Sequence, residues 1–132
     1  MTPKNASAAR RKPTRTSQKN KADRLFSIIV RSRNHCEAAG WDSVRCGGSL
    51  QTAHIVRRMY LSVRWDEDNA FCLCAAHHSY FTYRPLAWER FRDDRLGALY
   101  VAMRQRAEAA NGPPDYTEVL ERLMARKEEL GL

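Results

Sequence analysis

The hydrophobic positions along this chain follow two periodicities, and the switches between them outline the elements. Between residues 21 and 33, Ala22, Leu25, Phe26, Ile28 and Ile29 recur at three- and four-residue spacing, which predicts an amphipathic helix with that face on a core. Residues 50–56 and 69–73 are short, apolar and rich in β-branched side chains, and read as two strands. Alternation puts Leu50, Thr52, His54 and Val56 on one face of the first, and Asp68-Asn69 suits the turn into the second. A helix is predicted over residues 75–81, starting after Cys74. It ends in residues 82–85, because Pro85 disfavours helical geometry in the residue before it.

Beyond Pro85 the pattern is helical throughout. Leu86, Trp88 and Phe91 mark a short piece, and Leu96, Leu99, Tyr100, Met103, Ala107 and Ala110 continue at helical spacing up to the stop signal Asn111-Gly112. After Pro113-Pro114, Asp115 has the place of an N-cap with Glu118 three residues on. Tyr116, Val119, Leu120, Leu123, Met124 and Leu130 form the expected buried stripe of a last helix. Helix, two strands, then helices predicts an α+β fold. Residues 1–20 carry almost no large apolar side chain and are expected to be a disordered arm, with order starting near Lys21. The helix over 21–33 leaves Arg31 and Arg33 on other faces, open to phosphate or water.

Composition narrows this picture. A chain of 132 residues with 43% hydrophobic content allows one small domain with a modest core plus the arm. No apolar run is long enough to span a membrane, and the basic N-terminus lacks the apolar stretch of a secretory signal, so the expectation is a soluble protein in a reducing cytoplasm. The net charge of +8 is uneven: residues 1–24 hold eight basic side chains against the single acid Asp23. Such a cationic arm suits a polyanion, and by itself confers only non-specific affinity.

In a reducing compartment the four cysteines, Cys36, Cys46, Cys72 and Cys74, are not expected to form disulfides. Scattered cysteines would be small buried hydrophobes. These interleave with His77 and His78 at ligand spacing, which favours a metal site. Cys36 and Cys46 lie in a turn-rich loop marked by Gly40, Gly47 and Gly48 and are separated by nine residues, so the loop must bulge, with Trp41 placed to pack beneath it.

Residues 50–78 concentrate the chemistry. A hairpin bearing His54 followed by a helix bearing His78 is a ββα-metal arrangement. A neutral imidazole can take a proton from water near neutral pH, and a divalent cation can polarise a phosphate and stabilise a leaving oxygen. Taken singly, His54 on a strand would be a hydrogen-bonded structural histidine, Asn69 a turn residue and the loop arginines a solvated surface. The order in which they occur together argues otherwise. His35 stands outside the pattern and is read as structural.

The residues in order are Cys46-Gly-Gly-x-Leu-Gln-x-Ala-His54, Arg57-Arg58, Arg64-Trp-Asp-x-Asp-Asn69, Leu73-Cys74-x-x-His77-His78, Phe81-Thr and Pro85-x-x-Trp. In this the chain resembles the HNH endonucleases, most closely the small phage-encoded ones and the NinG-like recombination nucleases, over about residues 36–90. The resemblance implies a zinc-stabilised HNH nuclease core over 21–92, with a C-terminal helical extension over 93–132. It implies His54 as general base, Asn69 as the residue that fixes the loop and orients that base, and His78 as ligand of a catalytic divalent ion, Mg2+ or Mn2+. It also implies a structural Zn2+ on Cys36, Cys46, Cys74 and His77, with His77 standing where the family usually has cysteine, and with Cys72 able to replace one of the thiolates. Arg57, Arg58 and above all Arg64 would contact phosphates.

The activity implied is metal-dependent hydrolysis of DNA phosphodiesters to 5′-phosphate and 3′-hydroxyl ends. The partners implied are DNA and, from the phage settings of the family, terminase (packaging) or recombination proteins, in the cytoplasm of a bacterial host. One departure from the family stands out: the residue before the base is often Asp or His and helps bind the catalytic ion, whereas here it is Ala53. The rival readings are therefore a non-catalytic zinc-containing DNA-binding module, or an accessory subunit that nicks only within a larger complex.

Overall fold

The computed structural model describes residues 12–132. It is a mixed α+β structure of a two-stranded antiparallel sheet and five helices, with element order α1 (Arg15–Arg31), β1 (Leu50–His54), β2 (Ala70–Cys74), α2 (Ala75–Thr82), α3 (Pro85–Leu96), α4 (Ala98–Ala109) and α5 (Tyr116–Glu129). No helix among the described residues is long and apolar enough to cross a membrane.

The first helix starts six residues before the expected Lys21. The Thr14 hydroxyl accepts a hydrogen bond from the Ser17 amide at 3.0 Å, and the residues that follow hold no glycine or proline, so the basic stretch propagates as helix from that cap. The expected disorder therefore does not reach residues 15–20; residues 1–11 lie outside the described residues. Ala22, Phe26, Ile29 and Val30 are the buried face of α1.

The strands pair in the register Leu50↔Cys74 through His54↔Ala70, and every residue of β2 is buried. Burial of both faces is possible because different helices cover them. On one face α1 and α5 pack Phe26, Ile29, Val30, Tyr116, Val119 and Leu123 against Trp65, Ala70 and Cys72. On the other, α2 and α3 pack Phe81, Ala87 and Phe91 against Ala53, Ile55, Phe71 and Leu73. Phe81 stacks on Phe91 with ring centroids 4.9 Å apart, and Phe71 meets Phe91 at the same distance.

Two boundaries shift. The first strand stops at His54, although the Ile55 amide still bonds the Asn69 carbonyl at 3.0 Å. The second begins at Ala70, because Asn69 closes a 3-10 turn over Glu67–Asn69 that Asp66 caps through the Asp68 amide at 3.0 Å. The helical run after Pro85 breaks at Gly97, whose φ of 52° and ψ of −123° turn the chain between α3 and α4. That turn leaves Leu99 exposed rather than in the expected stripe, whereas Met103 and Ala107 are buried. Asp115 caps α5 as expected, its carboxylate accepting from the Thr117 and Glu118 amides at 3.0 and 3.3 Å. Met124 and Leu130 of the expected stripe are exposed, because α5 meets the core through the narrower strip of Tyr116, Val119 and Leu123.

Candidate metal centre and adjoining cleft

Cys36, Cys46, Cys74 and His77 converge so that their ligand atoms all lie within 4.8 Å of one another. The His77 Nδ1 stands 3.5, 3.6 and 3.2 Å from the sulfurs of Cys36, Cys46 and Cys74. Tetrahedral zinc with Zn–S of about 2.3 Å and Zn–N of about 2.0–2.1 Å has S···N edges of roughly 3.6 Å, so this cluster could hold a structural metal such as zinc. Among the described residues it is the one group of three or more His, Cys, Asp or Glu side chains close enough to hold an ion.

Local structure explains how distant residues meet there. Cys74 is the N-cap of α2, its sulfur accepting from the His77 amide at 3.4 Å, so the cap and the third helical residue point at one spot. The loop bearing Cys46 is clipped to the same helix start: the Ala75 amide donates to the Ser49 carbonyl at 2.9 Å and the Ala76 amide to the Gly47 carbonyl at 3.0 Å. Gly48 is required in this clip. Its φ is +78°, and a Cβ there would stand 2.7 Å from the Ala75 Cβ. The nine residues between Cys36 and Cys46 bulge through left-handed Gly40, Asp42 and Ser43. Trp41 packs edge-on against Phe91 at 5.3 Å, and Tyr80 and Arg90 hold the Asp42 carboxylate at 3.0 and 2.9 Å. The bulge is thereby tied to α2 and α3.

The thiols are poised unequally. Burial alone would raise Cys74, but amide hydrogen bonds from His77 and Gly47 outweigh it and bring it down to about 6. Cys46 is exposed as a residue, yet desolvation of its thiol against the cluster, together with the neighbouring Cys74 and Cys36, pushes it up to about 11. A bound cation would favour the thiolate form that binds it. Cys72 does not take part. It is fully buried on the opposite face of the hairpin among α1 and α5 side chains, because the chain turns into α2 at Cys74 and carries only that sulfur round to the cluster.

Beside this centre lies a cleft of about 180 Å3 lined by Ala53, His54, Leu73, His78, Phe81, Thr82 and Trp88. The His54 Nε2 is 2.9 Å from the Arg64 carbonyl. A carbonyl only accepts, so Nε2 carries the proton and Nδ1 keeps a lone pair. Burial depresses the His54 pKa below 6.5, aided by the charges of Arg58 and Arg64 and opposed by the Arg64 carbonyl and Asp23, so the neutral ring is favoured. His78 is matched in kind. Its Nδ1 donates to the Gln51 side-chain oxygen at 2.7 Å, leaving Nε2 with a lone pair, and burial lowers its pKa as well.

Asn69 is fully buried, and its side-chain hydrogen bonds do not go to His54. Its Oδ1 accepts from the Val56 amide at 2.6 Å, and its Nδ2 donates to the carbonyls of Val56 and Val63 at 3.1 and 3.0 Å. It closes the loop that leaves the strand carrying His54, through bonds to backbone alone. Ala53, buried beside the cleft, offers no ligand atom.

The arginines separate by partner. Arg64, expected to be the foremost phosphate contact, instead binds the Asp23 carboxylate at 2.6 and 3.0 Å, and Arg58 binds the same carboxylate at 2.7 Å. Trp65 Nε1 adds a fourth hydrogen bond to it at 2.9 Å. Arg57 is exposed. Arg33 is not open to solvent as expected but donates to Glu37 and to the carbonyls of Ala70 and Glu67 at 2.8–2.9 Å, holding the end of α1 to the start of β2. Sequence reasoning missed two residues here. Gln51 shares a strand face with Ala53, an alternation that aims it at the helix carrying His78. Asp23 is the single acid in an otherwise basic stretch. Comparison with known protein families, with curated proteins and with solved structures finds nothing that matches this chain.

Proposed function

We propose that this protein is a metal-dependent DNA endonuclease of the HNH type, with a structural zinc on Cys36, Cys46, Cys74 and His77. The observation that carries the reading is that His54 and His78 line one cleft, each with one ring nitrogen engaged by an acceptor and the other carrying a lone pair. His54 Nδ1 takes a proton from water, whose oxygen attacks phosphorus. The P–O3′ bond breaks, O3′ takes a proton from solvent water, and the ends are a 5′-phosphate and a 3′-hydroxyl. A divalent cation, Mg2+ or Mn2+, held by His78 Nε2 would supply charge stabilisation at the phosphate and the leaving oxygen. Asn69 holds the loop, and with it the Arg64 carbonyl that sets the His54 tautomer. The basic N-terminal arm adds salt-sensitive, largely sequence-independent DNA affinity.

Ala53 favours a second reading, a non-catalytic zinc-containing DNA-binding module, since no other His, Cys, Asp or Glu among the described residues joins His78 in a three-member cluster. A phage packaging or recombination complex is a setting for either. Supercoiled plasmid incubated with the zinc-loaded protein and added Mg2+ or Mn2+ separates them. The endonuclease nicks, and His54→Ala abolishes nicking while keeping DNA binding. If neither protein nicks and both bind, the module reading replaces the first.

A further inference from the structure

We propose that the recess between the loop at residues 56–65 and helices α3 and α4 takes an unpaired nucleotide of a DNA strand. The inference rests on the endonuclease reading for its biological sense, but not for its test. The recess has a volume of about 420 Å3, within the roughly 300–1,000 Å3 usual for small-ligand sites. Three guanidinium groups line it, those of Arg57, Arg92 and Arg104, together with the aromatic side chains Tyr60, Trp88 and Tyr100. Guanidinium groups bind phosphate oxygens through paired N–H donors, and aromatic faces stack on bases whatever their identity. Glu89 and Glu108 also line it; Glu108 is held 3.8 Å from Arg104 and Arg92 Nε donates to the Asp93 carboxylate at 3.1 Å, so of the three arginines Arg57 is the one with no carboxylate partner among the described residues.

Part of the platform is already assembled. The Arg92 guanidinium lies over the Tyr100 ring at 3.9 Å, its side chain only 17% exposed, while Arg104 approaches the same ring at 5.7 Å. Arg57 is exposed and Tyr60 is 39% exposed, so both remain open to a ligand. The recess is also continuous with the proposed chemistry, because Trp88 lines both this recess and the cleft of His54 and His78. A strand whose phosphate enters the cleft would bring the neighbouring nucleotide to the recess. A base paired inside a duplex hides its faces from the rings, whereas an unpaired one presents them.

The test is fluorescence anisotropy with a short labelled oligothymidylate and a labelled blunt duplex of equal length. Zinc-loaded full-length protein is used without other added metal, so that no cutting intrudes. Arg57→Ala combined with Arg104→Ala, and Arg57→Glu alone, change exposed side chains and leave the core untouched. The expected result is a loss of single-strand affinity of about tenfold or more against a duplex loss of about threefold or less, with the single-strand salt slope reduced by roughly 0.7 for each phosphate contact removed. Equal losses for both DNAs, no loss, or no single-strand binding by the parent protein would overturn the proposal. Plasmid nicking is scored separately: selective single-strand loss in a protein that never nicks retains the recess and removes the nuclease, and nicking with unselective loss does the reverse.

Discussion

Two histidines and the acceptors that orient them form the smallest unit of this protein that can be reasoned about. The Arg64 carbonyl holds His54 Nε2 and the Gln51 side-chain oxygen holds His78 Nδ1, so each ring turns its other nitrogen, with its lone pair, away from that partner. Outer partners of this kind typically change metal affinity by about 10–100-fold when removed. Gln51→Leu is therefore expected to raise the Mg2+ or Mn2+ concentration for half-maximal nicking by about tenfold or more, while Gln51→Glu, which keeps an acceptor, retains most of the affinity. A metal titration of nicking decides; an unchanged midpoint for Gln51→Leu would remove Gln51 from the site. The order of His54, Asn69 and His78 in the chain singled them out, and the structure brings His54 and His78 to one cleft while burying Asn69 in the loop between the strands. Order did not single out Gln51, since its role depends on a contact 27 residues away across the turn from strand to helix.

At the scale of elements, the Asp23 carboxylate joins α1 to the loop that carries the Arg64 carbonyl. Burial of Asp23 would raise its pKa, but hydrogen bonds from Arg64 and Trp65 and the charges of Arg64 and Arg58 outweigh it and hold the carboxyl below its ordinary 3.8. A carboxylate depressed in the folded state contributes stability that is present above the ordinary value and lost as pH falls through the folded one. Asp23→Asn should therefore destabilise by about 1–3 kcal/mol at neutral pH, and the difference from the parent should shrink as pH drops below 3.8. Thermal melts across that range read it directly, and a pH-independent gap would contradict the ion-pair account. The early start of α1 and the break at Gly97 belong to the same scale. Thr14 and Gly97 are both weak signals in a sequence, and each became decisive only through backbone geometry, an extended cap at one and a φ of 52° at the other.

Over the described residues, the fully buried strand β2 separates two core clusters, with a smaller third of Val56, Val63, Met103 and Ala107, and none is large. The Cys3His cluster stitches the loop at residues 36–48 to the start of α2 on one side of that divide. A small domain gains much of its stability from such a staple. The purified protein is expected to carry one equivalent of zinc. Chelation should lower its melting temperature by roughly 10 °C or more, and Cys46→Ser should lose zinc where Cys72→Ser does not. Zinc content by elemental analysis beside thermal melts checks this; substoichiometric zinc with an unmoved melt would make the cluster a set of buried thiols.

What the sequence determined by itself was local: periodicities that reveal strands and helices, the Asp115 cap, an α+β class, and a set of cysteines and histidines suited to a metal site, with Cys72 still a candidate for it. Tertiary structure decided everything that depends on which side of the hairpin a side chain faces. Cys72 and Cys74 are two residues apart, yet one is sealed beneath α1 and the other caps α2, because the chain leaves the strand between them and the helix. Arg64 has the composition of a phosphate ligand but meets Asp23, 41 residues earlier in the chain, and Arg33 is drawn into backbone carbonyls of the β2 turn. Long-range ion pairs of this kind leave no periodic trace, since the partner's position is set by how helices pack across a sheet and not by spacing along the chain.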